Sequence, residues 1–185
     1  MSPLPNPNPE SPLQSEPLLS VELVPATAHC QNLRTALPPE YWDGIRQQCY
    51  READYHCEIC GGQGPEHPVE AHERWDYRIL EFPEESRVEA WQVLIGVQAL
   101  CPACHEVKHM GLAELRGRLE PALHHLAKTN NWSRDATLAY ARAAFHLQHL
   151  RSQVPWGLDI EWLRSLGWKL HQYRWPVAAE NRIHG

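Results

Sequence analysis

Two Cys-x-x-Cys pairs constrain the fold of this chain more than any other feature of its sequence. Cys57 and Cys60 form the first pair, and Cys101 and Cys104 form the second about 40 residues later. Each pair can hold one edge of a tetrahedral zinc ion, and four thiolates complete the coordination. The sequence therefore predicts a structural Zn²⁺ site whose ligands are these four cysteines.

Three histidines that this zinc site does not require lie between and beyond the cysteine pairs. His105 directly follows the second pair, and His109 stands four residues later. Two histidines at i and i+4 share one face of a helix and can bind one divalent ion. His72 can act as a general base that activates water, and Glu70 or Glu73 can complete or orient the site. We therefore predict a second metal site, with His105 and His109 as ligands of a catalytic divalent ion.

Patterns of apolar and turn-forming residues predict an α+β domain over residues 38–112 that contains both sites. The predicted elements are a helix from Pro38, a strand at 69–75, an acidic loop at 76–86, a strand at 87–99 and a helix at 101–110 that Gly111 ends. In that last helix Lys108 lies one turn beyond Cys104, where its charge can stabilise the thiolates. The predicted order is therefore a zinc knuckle at the first cysteine pair, two strands and a helix, with a flanking N-terminal helix before them.

Residues 113–185 are predicted to form a mainly helical C-terminal extension. Ser133 is a good N-cap for a helix that reaches about residue 153. Apolar and charged residues alternate over 158–162, as in an edge strand, although 160–167 can equally form a helix. From Ala122 onward eight Lys and Arg stand against four Asp and Glu. Trp168, Tyr173 and Trp175 lie among these cations, where they either hold a nucleic-acid strand or pack on the core.

The N-terminal residues 1–28 are rich in proline, which removes backbone donors and opposes both helix and sheet. We interpret this segment as a disordered tail, and a binding site for a partner protein is the alternative.

The overall composition limits the classes of function. The chain has 185 residues, a formal net charge of −6 and a pI near 6.0, so any contact with nucleic acid must be local. Cys30 and Cys49 are expected to be buried apolar residues rather than a disulfide. No apolar run approaches the about 20 residues that span a bilayer, and no signal peptide is evident. We therefore expect a soluble cytoplasmic protein without membrane contacts.

The spacing of these residues resembles the HNH endonuclease superfamily, specifically its four-cysteine, zinc-containing branch with the ββα-metal fold. The resemblance covers about residues 50–112, and its motifs are Cys57-x-x-Cys60, Glu70-Ala71-His72 and Leu100-Cys101-x-x-Cys104-His105-x-x-Lys108-His109. It implies metal-dependent cleavage of DNA with Mg²⁺, Mn²⁺ or Ni²⁺ as the catalytic ion. It also implies that His72 is the general base, that His105 is the closing histidine, and that His109 is a second ligand.

Two positions differ from the family pattern. The Asn that orients the base in the family corresponds to Gly96, and Gln98 is the nearby amide. The residue before the base, which often binds the ion, is Ala71. The alternative function is therefore a zinc-stabilised HNH-like module that binds nucleic acid or protein with weak or no catalysis.

Overall fold

The computed structural model describes residues 16–177 of the chain, which form a mixed α+β fold around a four-stranded sheet. The strands are β1 (Glu70–Phe82), β2 (Arg87–Leu100), β3 (Gly157–Asp159) and β4 (Arg174–Trp175). The α-helices are α1 (Leu33–Ala36), α2 (Pro39–Glu52), α3 (Pro102–Lys108), α4 (Met110–Leu115), α5 (Leu119–Asn130) and α6 (Arg134–Arg151). Short 3₁₀ helices cover Ala26–Ala28, Pro83–Glu85 and Glu161–Leu166.

Strands β1 and β2 form a long antiparallel hairpin, and the sheet has the order β1-β2-β3-β4. The predicted loop at 76–86 is wrong, because β1 continues through this stretch to Phe82. Its acidic residues do not repel one another, since Asp76 pairs with Arg78, and Arg87 pairs with both Glu85 and Glu89. Ser86, with φ of 47°, closes the turn in the left-handed region.

The hairpin leads directly into helix α3, so the predicted order of strand, strand and helix is present. Pro102 is the first residue of α3, a position where a backbone N–H would have no partner within the helix, so the N–H that proline lacks is not missed. The predicted end of the helix at 101–110 is wrong, because α3 ends at Lys108 and the chain bends at His109. Gly111, the predicted stop, lies instead inside α4.

Two of the three buried apolar clusters in the described residues include side chains of this hairpin-helix unit. The first contains Leu100, Val107, Met110, Leu123 and Leu126, together with three of the four paired cysteines. The second joins α2 to the sheet and the C-terminal residues, and it contains Leu33, Trp42, Ile45, Leu94, Leu158, Ile160, Leu163 and Tyr173. The cysteine pairs are therefore part of a core and not of a peripheral loop.

The part of the predicted tail that the structure describes is packed and not disordered. Leu19 is fully buried in the first cluster, and Val21 lies beside it. The side chain of Asn130 bonds both backbone groups of Leu19, accepting from its amide at 3.1 Å and donating to its carbonyl at 2.8 Å. Residues with apolar side chains continue to Val24, which gives this stretch enough surface to bury despite the prolines before it. Residues 1–15 lie outside the described residues.

The C-terminal aromatic residues pack on the core, which was one of the two predicted alternatives. Tyr173 is buried in the second cluster, and Trp168 packs against the ring of Tyr41. Arg174 pairs with the buried Asp159 at 2.6 Å, so its charge is neutralised within the fold. Residues 160–167 contain a 3₁₀ helix, Glu161–Leu166, and residues 178–185 lie outside the described residues.

Two smaller predictions concern cysteines and helix α6. Ser133 caps α6 by accepting from the amide of Ala136, as predicted. Cys49 is buried as expected, whereas Cys30 is exposed, and neither forms a disulfide. Within residues 16–177, no helix is both long enough and apolar enough to cross a membrane.

Candidate metal centres

The four paired cysteines converge in the structure. Their sulfur atoms all lie within 4.8 Å of one another, and Cys60 Sγ is 3.6 Å from Cys101 Sγ. Sulfurs that bind zinc tetrahedrally at about 2.3 Å are about 3.8 Å apart, so the observed spacing fits the ion. Gly61, at φ of 71°, makes the turn that returns the first pair toward the second. This cluster is compatible with a structural zinc ion.

The surroundings of the cysteines favour the thiolate at Cys57 alone, because burial raises the pKa of Cys101 to about 11 and the hydrogen bond to Cys57 raises the pKa of Cys104. A hydrogen bond from the Cys104 thiol and backbone amides near the knuckle lower the pKa of Cys57 to about 4, against the effect of burial. Nε2 of His125, on α5, lies 3.2 Å from the sulfur of Cys104. His125 can therefore donate to that thiolate, which is the kind of support that metal ligands usually have. From the sequence, His125 is predicted to be an ordinary surface histidine of a helix, like His124, His146 and His149. That prediction is wrong for His125, because its ring contacts the sulfur of Cys104.

The three predicted site histidines also converge. One ring nitrogen of each of His72, His105 and His109 lies within 4.8 Å of the others. The ring centroids are 5.5 Å apart for His72 and His105, 5.0 Å for His72 and His109, and 4.6 Å for His105 and His109. Nitrogens that bind one ion at about 2.1 Å are at most about 4.2 Å apart, so small rotations of the rings suffice. The donor set fits one divalent ion.

Two carboxylates hold two of these rings. The carboxylate of Glu70 pairs with Nδ1 of His105, and Glu22 accepts from Nε2 of His72 at 2.9 Å. A carboxylate on one ring nitrogen fixes the tautomer and leaves the other nitrogen for a metal ion or a proton. Glu70 thus contacts the site as the sequence suggested, although through His105.

The electrostatic environment keeps the two helix histidines neutral. Burial, with the nearby charges of His105 and His72 when they are protonated, lowers the pKa of His109 to about 3. Burial also lowers the pKa of His105, although the attraction of Glu70 opposes it. Neutral imidazole is the form that binds a metal ion, so the site does not need to lose protons at pH 7 to take one.

Glu22 joins the histidine site to helix α3 through a buried lysine. Its second oxygen accepts from Nζ of Lys108 at 2.5 Å, and Lys108 also donates to Oγ of Ser20 at 2.8 Å. Burial alone would raise the pKa of Glu22, but the hydrogen bond from His72 and the charge of Lys108 lower it to about 2. The predicted role of Lys108 is therefore wrong. Its ammonium group faces the N-terminal segment and not the thiolates.

The remaining predicted residues lie near the histidines without joining them. Glu73 accepts from the amide of Leu33 at 2.8 Å, so its carboxylate is used at the start of α1, and burial raises its pKa. Ala71 packs in the apolar clusters and has no group to offer an ion. Gly96 lies opposite Arg74 at a bulge in the hairpin, and Gln98 pairs with His72 across the strands.

The functional residue that sequence analysis missed is Glu22. It is the only acid in the stretch Leu18–Val24, where Val21 and Leu23 flank it. One acid inside a short apolar run is a weak signal of a buried carboxylate. That signal was outweighed by the prolines that precede it, and nothing in the sequence indicated that its partner was His72.

Comparison with models of protein families, with curated proteins and with solved structures found no match. The assignment of a function to this chain therefore depends on the geometry of the two sites and on the motifs themselves.

Proposed function

We propose that this protein is a metal-dependent DNA endonuclease of the HNH type, which hydrolyses phosphodiester bonds. One observation supports the proposal most directly. His72 from the hairpin, His105 within helix α3 and His109 directly after it have ring nitrogens within 4.8 Å of one another, and Cys104 of the four-cysteine cluster lies on the same helix. A structural zinc site that positions histidines for a second ion is the arrangement that the sequence resemblance implies.

In this proposal His105 and His109 hold the divalent ion, and Glu70 fixes the ring of His105. A bound divalent ion stabilises the negative charge that develops on the phosphate and on the leaving oxygen. The short helix α3 carries Cys104 and His105, with Cys101 directly before it and His109 directly after it, so it links the two sites. Loss of zinc would consequently displace His105 as well as unfold the knuckle.

His72 is the general base in this proposal. Because Nε2 donates to Glu22, the neutral ring carries its lone pair on Nδ1, which is the atom that can accept a proton from water. The negative charge of Glu22 stabilises the imidazolium that this transfer forms, as a carboxylate does behind the histidine of a catalytic triad. Glu22 thereby supplies the orientation that the family obtains from the Asn replaced here by Gly96.

The second candidate is the zinc-stabilised module without effective catalysis. The absence of a ligand at Ala71 favours it, because the ion would have two helix histidines and no neighbouring ligand from that position. The net charge of −6 favours it as well, since most DNA-binding proteins carry a basic field. The carboxylate of Glu70 weighs against it, because a purely structural role does not require a carboxylate at the ring of His105.

A plasmid-nicking assay with Mg²⁺, Mn²⁺ or Ni²⁺ tests the proposal. We expect the parent chain to nick supercoiled DNA and the variant His72→Ala to lose about 100-fold or more of the rate. The matched control is His146→Ala, because His146 is an exposed histidine on α6. The endonuclease proposal is wrong if the parent chain, loaded with zinc, cleaves neither supercoiled plasmid nor single-stranded circular DNA faster than His72→Ala does with any of the three ions.

A further inference from the structure

A large cavity opens beside the three histidines. It has a volume of about 930 Å³, and its walls come from the segment Val21–Val24, from the start of α1, from β1, and from helices α4 and α6. This volume is at the upper end of the about 300–1,000 Å³ that is usual for pockets that enclose small ligands. The site histidines therefore line a concave chamber and do not lie on a projecting surface.

The recessed position of the histidines limits what can reach them. His72 is only 4% exposed, and the N-terminal segment with Glu22 lies over its ring. Double-stranded DNA is stiff over about 50 nm, and its phosphates lie on the outside of a wide cylinder. A single strand is narrow and flexible, and its bases can separate and enter a pocket.

Two arginines in the cavity are suited to such a strand. The guanidinium of Arg34 lies over the ring of Trp42 with 5.4 Å to the centroid, and that of Arg151 lies over Tyr77 at 4.5 Å. Both arginines line the cavity. Within residues 16–177 neither forms an ion pair with a carboxylate, so both are available to bind phosphate. An arginine held flat on an aromatic ring also offers a plane on which a base can stack.

The acidic residues of the cavity offset only part of these charges. Glu22 is paired with Lys108, whereas the carboxylate of Glu73, which accepts from the amide of Leu33, is close enough to Arg34 to offset part of its charge. Glu114 is the remaining acid of the lining. The charge of Arg34 is also close enough to His105 to contribute to the lowering of its pKa, which places one cation beside the proposed ion site.

We infer that the substrate of this site is single-stranded DNA, which enters the cavity with Arg34 and Arg151 on its phosphates and its bases against the aromatic walls. This inference rests on the proposed endonuclease function, which defines where the strand would be cleaved. Binding of the strand does not require cleavage, so binding can be measured separately.

Fluorescence anisotropy of a labelled thymidine oligonucleotide tests the inference, with the zinc-loaded full chain and no added divalent ion. We expect the single strand to bind at least about tenfold more tightly than the same label in a thymidine-adenosine duplex. Arg34→Ala and Arg151→Ala should each weaken single-strand binding by about tenfold. Each should also make the slope of log K against log salt shallower by about 0.7, because each removes one phosphate contact.

Arg142→Ala is the matched control, since Arg142 is an exposed arginine on the same helix as Arg151 and lies outside the cavity lining described by the structure. It should keep the affinity and the salt slope of the parent chain. Equal affinity for single strand and duplex, or arginine variants that behave like the control, would overturn the inference. If either result is obtained and the parent chain still nicks duplex plasmid, the endonuclease proposal remains intact. Arginine-dependent binding of the single strand without cleavage would support the inference and contradict the endonuclease.

Discussion

The carboxylate of Glu22 accepts a hydrogen bond from Nε2 of His72 at 2.9 Å, although the two residues are 50 positions apart in the chain. The other oxygen of the same carboxylate accepts from Lys108 at 2.5 Å. One side chain from the N-terminal segment therefore bridges strand β1 and helix α3 at the point where the histidines converge. The stability of the fold and the orientation of the site depend on the same group.

The variant Glu22→Gln should lower the free energy of unfolding by about 3 kcal/mol. Its amide leaves the buried ammonium of Lys108 without an anion, and breaking a buried ion pair is costly. Urea denaturation measures the change, and Glu66→Gln in an exposed loop is the control. In the double variant with Lys108→Met the losses should be less than additive. Additive losses would show that the two groups do not interact.

The variant Cys101→Ser should remove the structural zinc and most of the cooperative folding. A serine hydroxyl is a poor zinc ligand, and two of the three remaining thiolates, those of Cys57 and Cys104, lie in a core that the ion would hold together. Metal analysis of the purified protein should find one zinc fewer per chain than in the parent. Cys30→Ser, at an exposed cysteine, should retain the metal. Equal zinc content in both variants would contradict the four-thiolate site.

The variant His125→Ala should weaken zinc binding about 10-fold to 100-fold without preventing folding. His125 is 3.2 Å from the Cys104 sulfur, and groups that support a metal ligand typically affect affinity by this amount. Competition with a chromogenic chelator measures the affinity. The neighbouring His124 is exposed, so His124→Ala provides a matched control. An identical effect of both substitutions would show that the contact has no specific role.

The stability of the chain should fall as the pH falls from about 6.5 toward 3. The pKa of His109 is lowered from 6.5 to about 3, so the unfolded chain binds more protons in this range and acid favours unfolding. The variant His109→Gln should flatten the dependence, whereas His146→Gln should preserve it. Glu22 adds a second loss below about pH 4.5, because its pKa is lowered to about 2. Thermal melting across this range, without added divalent ion, measures both effects.

The variant Asn130→Ala should release the N-terminal segment from the fold. It removes both hydrogen bonds to the backbone of Leu19, at a cost of about 2 kcal/mol. Hydrogen exchange should become faster at the amides from Leu19 to Glu22, and nicking activity should fall because Glu22 no longer holds His72. Lys128→Ala, at an exposed residue of the same helix, should change neither. Unchanged exchange in Asn130→Ala would show that other contacts hold the segment.

Local sequence patterns were sufficient to predict the elements that carry the sites. The Cys-x-x-Cys spacing predicts a four-thiolate cluster, because each pair is close in sequence and metal geometry is strict. The i, i+4 spacing places His105 and His109 together for the same local reason. The predicted strand of His72 was correct in position but too short, since pairing with β2 extends it through residues whose acidic character suggested a loop.

The sequence by itself therefore determined the four cysteines, the three histidines and the order of strand, strand and helix. Only the tertiary structure decided which groups surround them. Four residues reach the sites from segments that are distant in sequence, and their side chains have no pattern that identifies a partner: Glu22, Arg34, His125 and Arg151. Lys108 is near the site in sequence, but its partner Glu22 is not. The physical reason is the distance along the chain over which each kind of interaction acts. Metal-ligand spacing and helical periodicity act over a few residues, whereas buried ion pairs and cavity walls depend on how separate elements pack.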